Sequence, residues 1–440
     1  EMVTELIKQE GSYLDALRAS HSSQQASGID WLDRLRNTAM ERFSELGFPS
    51  VKDEEWKYTN VAPIARMDFQ AKSAAEYLDV GEFDVPETRE SQLVFLNGKL
   101  QQDKSSVAGL NDGVTAVGLV EACRGERGAL VREHLARSAD YVANGFTALN
   151  TGFISDGVFI HIPRNIEVSQ PIHLLFLSDG AERVTYPRVL VVAEENSSST
   201  IIESYVGAKD AEYFTNAVVE VVLKDGAKVE HYKVQREGTE AFHVATTVAE
   251  LGTNASYNVT TINFGGKLSR HDVRAIMDHE GAECWVDGLY LVTDNQHTDT
   301  HSVIDHRKPH CTSHQLYKGI LDGKSRAVFN GKVFVRHDAQ KTDAMQTNKN
   351  LLLSNEARVD TKPQLEILAD DVKCAHGAAV GQIEEDELFY LETRGIHPDL
   401  GRNLLTYGFA EEVIAKVKVD SIKQQLDEAV LNRLNTRLEV

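Results

Sequence analysis

A cysteine and a histidine two residues apart, near the C-terminal end, are the strongest candidates for chemistry in this sequence. They lie in the segment 370–377, which reads DDVKCAHG. If that segment is extended, Cys374 and His376 point to the same face, because side chains alternate along a strand. A thiolate beside an imidazole can bind iron, zinc or copper, or can act as a nucleophile–base pair. The alternative is a buried cysteine and a hydrogen-bonded histidine at a strand end, since free cysteine is among the residue types most often buried.

A histidine-rich stretch around Cys311 is a second candidate. Its histidines are His297, His301, His306, His310 and His314. The even spacing of His306, His310 and His314 would suit one face of a strand or of a helix, and such a set could bind zinc. Pro309 interrupts that spacing, because proline breaks both helices and central strands. The alternative is a histidine-lined turn or a subunit interface.

The bulk composition limits the class of protein. The 440 residues carry a net charge of −21, from 46 Lys and Arg against 67 Asp and Glu. A nucleic-acid binder would need a basic stripe, so no nucleic-acid partner is expected. The four cysteines form no CxxC motif and do not make a disulfide framework. No signal-peptide pattern and no apolar run of about 18 residues is visible, so we expect a cytoplasmic protein without a membrane span.

The order of patterns along the chain predicts three regions. Residues 1–150 have mostly helical periodicity, residues 151–381 have short β-branched runs between turns, and residues 382–440 are helical again. In the middle region the turns at Asn196, Gly226, Gly252, Gly281 and Pro309 are 30, 26, 29 and 28 residues apart. A strand-only repeat of this length favours a parallel β-helix over a propeller, whose blades need about 40 residues. An antiparallel sandwich is the alternative.

The helical tail after residue 381 has two interpretations. A solenoid whose last coil is bare exposes an open strand edge, so the tail is expected to cap that end. Its functional interpretation is a docking surface for a partner. No G-x-x-x-x-G-K-[ST] loop and no G-x-S-x-G elbow occurs, so the chain is not expected to hydrolyse nucleotides or to be an enzyme.

Together these segments resemble the SufB/SufD family of the SUF iron–sulfur cluster assembly system, and within it the SufD subunits. The segments that carry the resemblance are 54–59 (EEWKYT), 156–163 (DGVFIHIP), 326–331 (RAVFNG), 341–343 (KTD), 346–348 (QTN), 359–367 (VDTKPQLEI), 370–381 (DDVKCAHGAAVG), 389–391 (FYL) and 394–396 (RGI). On composition alone the first of them is an N-terminal packing element. Gly377 after the histidine is similar to SufD, whereas SufB has Cys-Ser-His-Glu. Ala375 departs from the serine common in the family.

The resemblance implies a mainly β fold, a right-handed parallel β-helix between helical N- and C-terminal regions. It implies a scaffold subunit that pairs with SufB, with the ATPase SufC docking on the C-terminal helical region. The nascent iron–sulfur cluster would form at the SufB interface, with His376 as a cluster or iron ligand and Cys374 beside it. The cluster-building cysteine would belong to SufB. The isolated chain could form a homodimer through the same surface.

Two other functions compete with the scaffold. β-Helices also carry polysaccharide lyases and hydrolases, although the sequence has only three tryptophans to stack on sugars. The second is an independent zinc protein that uses His306, His310 and His314.

Overall fold

Two long sheets run side by side through the middle of the chain. The computed structural model describes residues 2–69, 74–75 and 81–436. Sheet I contains, in spatial order, β2 (Lys99–Leu100), β1 (Gln92–Leu96), β5 (Ile172–Ser178), β8 (Ser198–Gly207), β10 (Lys228–Arg236), β12 (Ser256–Asn263), β14 (Glu283–Val292), β16 (Thr312–Leu321), β18 (Asp343–Leu352) and β20 (Lys373–Gly381).

Sheet II takes the alternate strands. In spatial order it contains β19 (Arg358–Ile367), β17 (Arg326–Val335), β15 (His297–His306), β13 (Leu268–Met277), β11 (Phe242–Leu251), β9 (Phe214–Leu223), β7 (Arg188–Ala193), β4 (Val158–Ile162) and β3 (Thr115–Gly118), and β6 (Val184–Thr185) pairs with β9. Each later strand that joins the two sheets after β4 pairs in parallel, and from β7 onward the chain passes from one sheet to the other at each step. This is a parallel β-solenoid, as predicted, and it excludes the antiparallel sandwich.

The pairing register explains the period seen in the sequence. Val286 lies opposite Gln315, Gln315 opposite Gln346, and Gln346 opposite His376. One coil therefore takes about 30 residues, a period typical of repeat folds. Along each strand alternate side chains enter the space between the sheets, where aliphatic and aromatic residues such as Tyr290 form one continuous core.

Residues in the left-handed backbone conformation lie at the corners of the coils. Asn196 and Gly226 have φ values of 57° and 69°, and they occupy equivalent turns of adjacent coils. A Cβ on Gly226 would lie 2.4 Å from Asn196 Oδ1, so both the close approach and the positive φ favour glycine there. The predicted turns at these two residues are thus coil corners.

Helices lie before and after the solenoid. They are α1 (Met2–Ser23), α2 (Asp30–Leu46), α3 (Ala62–Ala65), α4 (Leu119–Arg124), α5 (Gly128–His134), α6 (Gly145–Gly152), α7 (Glu385–Glu392), α8 (Pro398–Ile414) and α9 (Asp420–Thr436). The N-terminal part packs Trp56 and Phe146 against Phe214 and Phe242 of sheet II. The short strands β1 and β3 from this part extend the first ends of the two sheets.

The C-terminal helices do not cap the solenoid, which corrects that expectation. α8 and α9 lie along the outer face of sheet I, where Val413 and Leu426 pack on Ile262 and Leu289. Burial of aliphatic side chains on a broad sheet face offers more apolar contact than the rim of one coil. In the described residues, β19 and β20 each pair with a strand on one side only, so the last coil has two free strand edges. Within the described ranges, no helix combines the length and the apolar character that crossing a membrane requires.

Candidate functional site

The open end of the solenoid presents Cys374 and His376. Both lie on β20, the edge strand of sheet I, with Cys374 opposite Ala344 and His376 opposite Gln346. Cys374 is half-buried and packs against the solenoid core, and His376 shares its face because the two are separated by one residue of a strand. The His376 ring is exposed and makes no hydrogen bond or ion pair with a described residue. A thiol and an imidazole thus stand together at the mouth of the last coil.

Cys374 differs from the other cysteines in its access to solvent. Cys123, Cys284 and Cys311 are buried, and none of the four forms a disulfide. Partial burial, together with the nearby Asp343 carboxylate, raises the pKa of the Cys374 thiol. At neutral pH the sulfur is therefore mainly a thiol, and a metal ion or a cationic neighbour would be needed to stabilise its thiolate.

Polar side chains line the interior of the solenoid directly below Cys374 and His376. Gln346 donates through Nε2 to Gln315 Oε1 at 2.7 Å, and Gln315 donates through Nε2 to Ser302 Oγ at 2.7 Å. Gln346 is 1% exposed, and its Oε1 has no hydrogen-bond partner among the described residues. Beside it, Thr361 of β19 donates to Asn348 Oδ1 at 2.7 Å. Polar side chains also occur elsewhere in the interior, as at Glu203 and His231, but this group lies directly under the last coil.

The structure does not bring His306, His310 and His314 together. His306 is buried at the end of β15 in sheet II, with its Nε2 2.8 Å from the Ser313 hydroxyl. His310 occupies the coil corner with φ 59°, and His314 stacks on Trp285 on the outer face of sheet I at 4.2 Å between ring centroids. Across residues 2–69, 74–75 and 81–436, no three His, Cys, Asp or Glu side chains are grouped to hold a metal ion.

The N-terminal EEWKYT segment is a packing element, as its composition predicts. Trp56 is buried, and the guanidinium of Arg270 lies 3.7 Å from its ring centroid. Thr59 donates to Asp299 Oδ2 at 2.5 Å, and Arg270 binds the same carboxylate at 3.0 Å. His301 contacts both Asp299 and Glu55. These ion pairs border a cleft of about 160 Å³ between the segment and the outer face of sheet II.

The charges along that cleft stabilise one another. Burial alone would lower the pKa of His301, but the carboxylates of Asp299 and Glu55 raise it to about 9. Burial opposes ionisation of Asp299, yet Arg270 and His301 hold the pKa of that carboxyl below its usual value. The cleft is therefore lined by ion pairs that fix the N-terminal segment on the solenoid. The resemblance to the SufB/SufD family includes the segment 54–59, but it does not indicate which residues that segment contacts.

Comparison with known proteins agrees with this architecture. Residues 176–409 match the family model "SUF system FeS cluster assembly, SufBD core domain", and residues 7–174 match "SufBD protein N-terminal region". An iron–sulfur cluster assembly SufBD family protein of Synechocystis is 37% identical over 90% of this chain and 89% of its own length. The iron–sulfur cluster assembly protein SufD of Escherichia coli is 32% identical over 91% of each chain, and that of Bacillus subtilis is 27% identical over 90% and 92%.

The two family models together cover residues 7–174 and 176–409, and the boundary between them falls within β5. This chain is therefore a member of the SufBD family of iron–sulfur cluster assembly proteins.

Proposed function

We propose that this chain is a SufD-type scaffold subunit, which pairs with a SufB-type subunit so that a nascent iron–sulfur cluster is assembled between them. The observation that carries the proposal is the position of Cys374 and His376 on a strand with a free edge at the open end of the solenoid. Free strand edges are ready to pair with another chain. A partner seated on β19 and β20 would bring its own side chains to the same mouth.

In this proposal Cys374 and His376 provide only part of the ligands of a cluster site. Iron in a cluster takes thiolate or imidazole ligands, commonly four from the protein for a complete cluster. Cys374 and His376 supply at most two, so the SufB-type partner supplies the rest. The cluster is cargo held for transfer, and the chain is a scaffold without catalytic groups of its own. The interface also excludes water from an oxygen-sensitive intermediate.

The C-terminal helices are the proposed docking surface for a SufC-type ATPase. Phe389 and Tyr390 of α7 are 65% and 55% exposed, and no described side chain of this helix is buried. Leu400 and Leu404 of α8 are also exposed nearby in sequence. An exposed apolar patch of this kind usually marks a protein interface. Since this sequence has no nucleotide-binding loop, the partner would supply ATP hydrolysis.

The unpaired state of all four cysteines supports a reducing compartment, and we propose the cytoplasm. In the absence of a SufB-type partner, the free edges of two copies could pair with each other as a homodimer.

The test is co-purification with the SufB-type and SufC-type proteins of the same genome, followed by cluster reconstitution. We expect a stable complex of the three proteins and a cluster with the visible absorbance of iron–sulfur bonds. His376→Ala should leave the complex intact and reduce the cluster yield at least tenfold, since even loss of a residue that only positions a metal ligand typically costs 10–100-fold. No association of the three proteins, or a normal yield from His376→Ala, would contradict the proposal.

A further inference from the structure

The hydrogen bonds under the last coil run in one direction. The Ser302 hydroxyl accepts from Gln315 Nε2, and Gln315 Oε1 accepts from Gln346 Nε2. Each amide therefore presents its oxygen toward the following coil. The row ends at Gln346 Oε1, a buried acceptor that has no partner in the described part of the chain. Leaving a buried carbonyl oxygen without a donor is unfavourable, so such an atom requires an explanation.

Gly331 fixes the position of this amide from the opposite sheet. A Cβ at Gly331 would lie 2.5 Å from Gln346 Nε2, so only glycine leaves room for the side chain in this orientation. The amide is thus held on one side by Gln315 and on another by the bare backbone of β17. What is held in place is an acceptor oxygen rather than a mobile surface glutamine.

The donor that this oxygen lacks is available on the next strand. His376 lies opposite Gln346 in the pairing of β18 with β20, on the same inward face. Paired strands are about 4.8 Å apart, within reach of a hydrogen bond between a glutamine amide and an imidazole ring. Since the His376 ring has no other described partner, its N–H is free to be donated.

We propose that Gln346 is a positioning residue for His376: its Oε1 accepts the N–H of one ring nitrogen and directs the lone pair of the other nitrogen toward the cluster iron. This inference rests on the proposed function and deepens it. A histidine that binds a metal nearly always donates its second N–H to a fixed acceptor, which sets the tautomer and the ring orientation.

The choice of glutamine follows from burial. A carboxylate at position 346 would also accept the N–H, but it would place a negative charge where the side chain is 1% exposed and would face the oxygen of Gln315. Burying an uncompensated charge is costly. The amide provides an acceptor on one side and a donor on the other without a net charge.

The test compares two substitutions with opposite expectations. Gln346→Met removes the acceptor but keeps the volume, whereas Gln346→Glu keeps the acceptor and disrupts the bond to Gln315. Gln235→Met is the matched control, because Gln235 is also 1% exposed and faces inward from β10 of the same sheet, four strands from β18. Ring ¹⁵N shifts of His376 in the full-length chain, assigned with His376→Asn, report its tautomer.

We expect one dominant tautomer in the wild type, in Gln346→Glu and in Gln235→Met, and a mixture of tautomers in Gln346→Met. Thermal stability should follow a different order, with Gln346→Glu at least as destabilised as Gln346→Met. If the His376 signals of Gln346→Met match those of the wild type, or if Gln235→Met alters them equally, the inference is wrong.

Cluster reconstitution in the three-protein complex separates this inference from the proposed function. Gln346→Met should lower the cluster yield about tenfold, as expected for loss of an outer ligand contact, and Gln235→Met should not. A low yield from His376→Ala with a normal yield from Gln346→Met overturns only the role of Gln346. A normal yield from His376→Ala overturns the proposed function itself.

Discussion

The guanidinium of Arg270 lies 3.7 Å from the ring centroid of Trp56, so a strand of sheet II holds the N-terminal segment by a cation–π contact. Arg270 also donates to the Glu55 carbonyl at 2.6 Å and to Asp299 at 3.0 Å. Arg270 is buried but is paired with the carboxylates of Asp272 and Asp299, which raise its pKa in spite of the burial. These contacts tie the N-terminal part to coils close to the open end of the solenoid.

Trp56→Ala should therefore detach the N-terminal segment. Loss of a buried tryptophan typically costs 3–5 kcal/mol, and here it also leaves Arg270 without its stacking partner. The measurement is chemical denaturation combined with hydrogen exchange, in which amides near residues 54–59 should exchange faster while those of the coils remain protected. Trp285→Ala, at a half-buried tryptophan on sheet I, should cost less. Equal losses from the two substitutions would contradict this account.

The His301 ion pairs predict an alkaline loss of stability. The carboxylates of Asp299 and Glu55 raise the pKa of His301 to about 9, from 6.5 in the unfolded chain. A raised histidine pKa stabilises the fold fully below pH 6.5, and this contribution is lost as the pH rises through about 9. At 1.36 kcal/mol per pKa unit, the contribution is about 3 kcal/mol.

The check is the free energy of unfolding of wild type and His301→Gln from pH 6 to pH 10. The difference between the two proteins should be largest near pH 6 and should shrink toward pH 10. Comparing the two cancels the titration of the lysines and tyrosines elsewhere. A difference that stays constant over this range would show that the charge of His301 does not contribute.

Much of the fold could be predicted because its signals are local. Turn residues about 30 apart with β-branched runs between them favour a strand-only repeat, and the predicted turns at Asn196 and Gly226 are corners of adjacent coils. The position of the tail could not be predicted. The helical periodicity shows only that α8 and α9 carry apolar residues. The surface that they cover consists of outward-facing side chains of sheet I, which come from coils far apart in the sequence.

The candidate site could likewise be predicted in part from local sequence. Alternation along one strand places Cys374 and His376 on one face without any knowledge of the neighbouring coil. Gln346 could not be associated with His376 from spacing, because that requires the register of β18 against β20. The spacing of the histidine-rich stretch is not reflected in the structure for a related reason. Even spacing suggests a shared face, but the coil corner at His310 sends His306 and His314 to different sheets.

The separation of these histidines predicts the result of metal analysis. Zinc bound by the purified chain should be unaffected by His310→Ala and His314→Ala, because His310 lies at a coil corner beside Glu280, whereas His314 lies on the outer face of sheet I against Trp285. Elemental analysis after zinc loading and desalting is the measurement, with His376→Ala in parallel. Stoichiometric zinc that is lost from the His310 and His314 variants but retained by His376→Ala would instead support an independent zinc protein.

The exposed aromatic residues of α7 predict a phenotype confined to partner binding. Phe389→Ser with Tyr390→Ser removes two side chains that are more than half exposed, so the unfolding free energy should change by no more than about 0.5 kcal/mol. Aromatic side chains are frequent hot spots at interfaces, where each can contribute about 2 kcal/mol or more. Affinity for the SufC-type ATPase, measured by calorimetry, should fall at least tenfold, while Val142→Ser, at an apolar residue that is 54% exposed elsewhere, should leave it unchanged. Unaltered affinity in the double variant would show that these two side chains do not form the proposed docking surface for the ATPase.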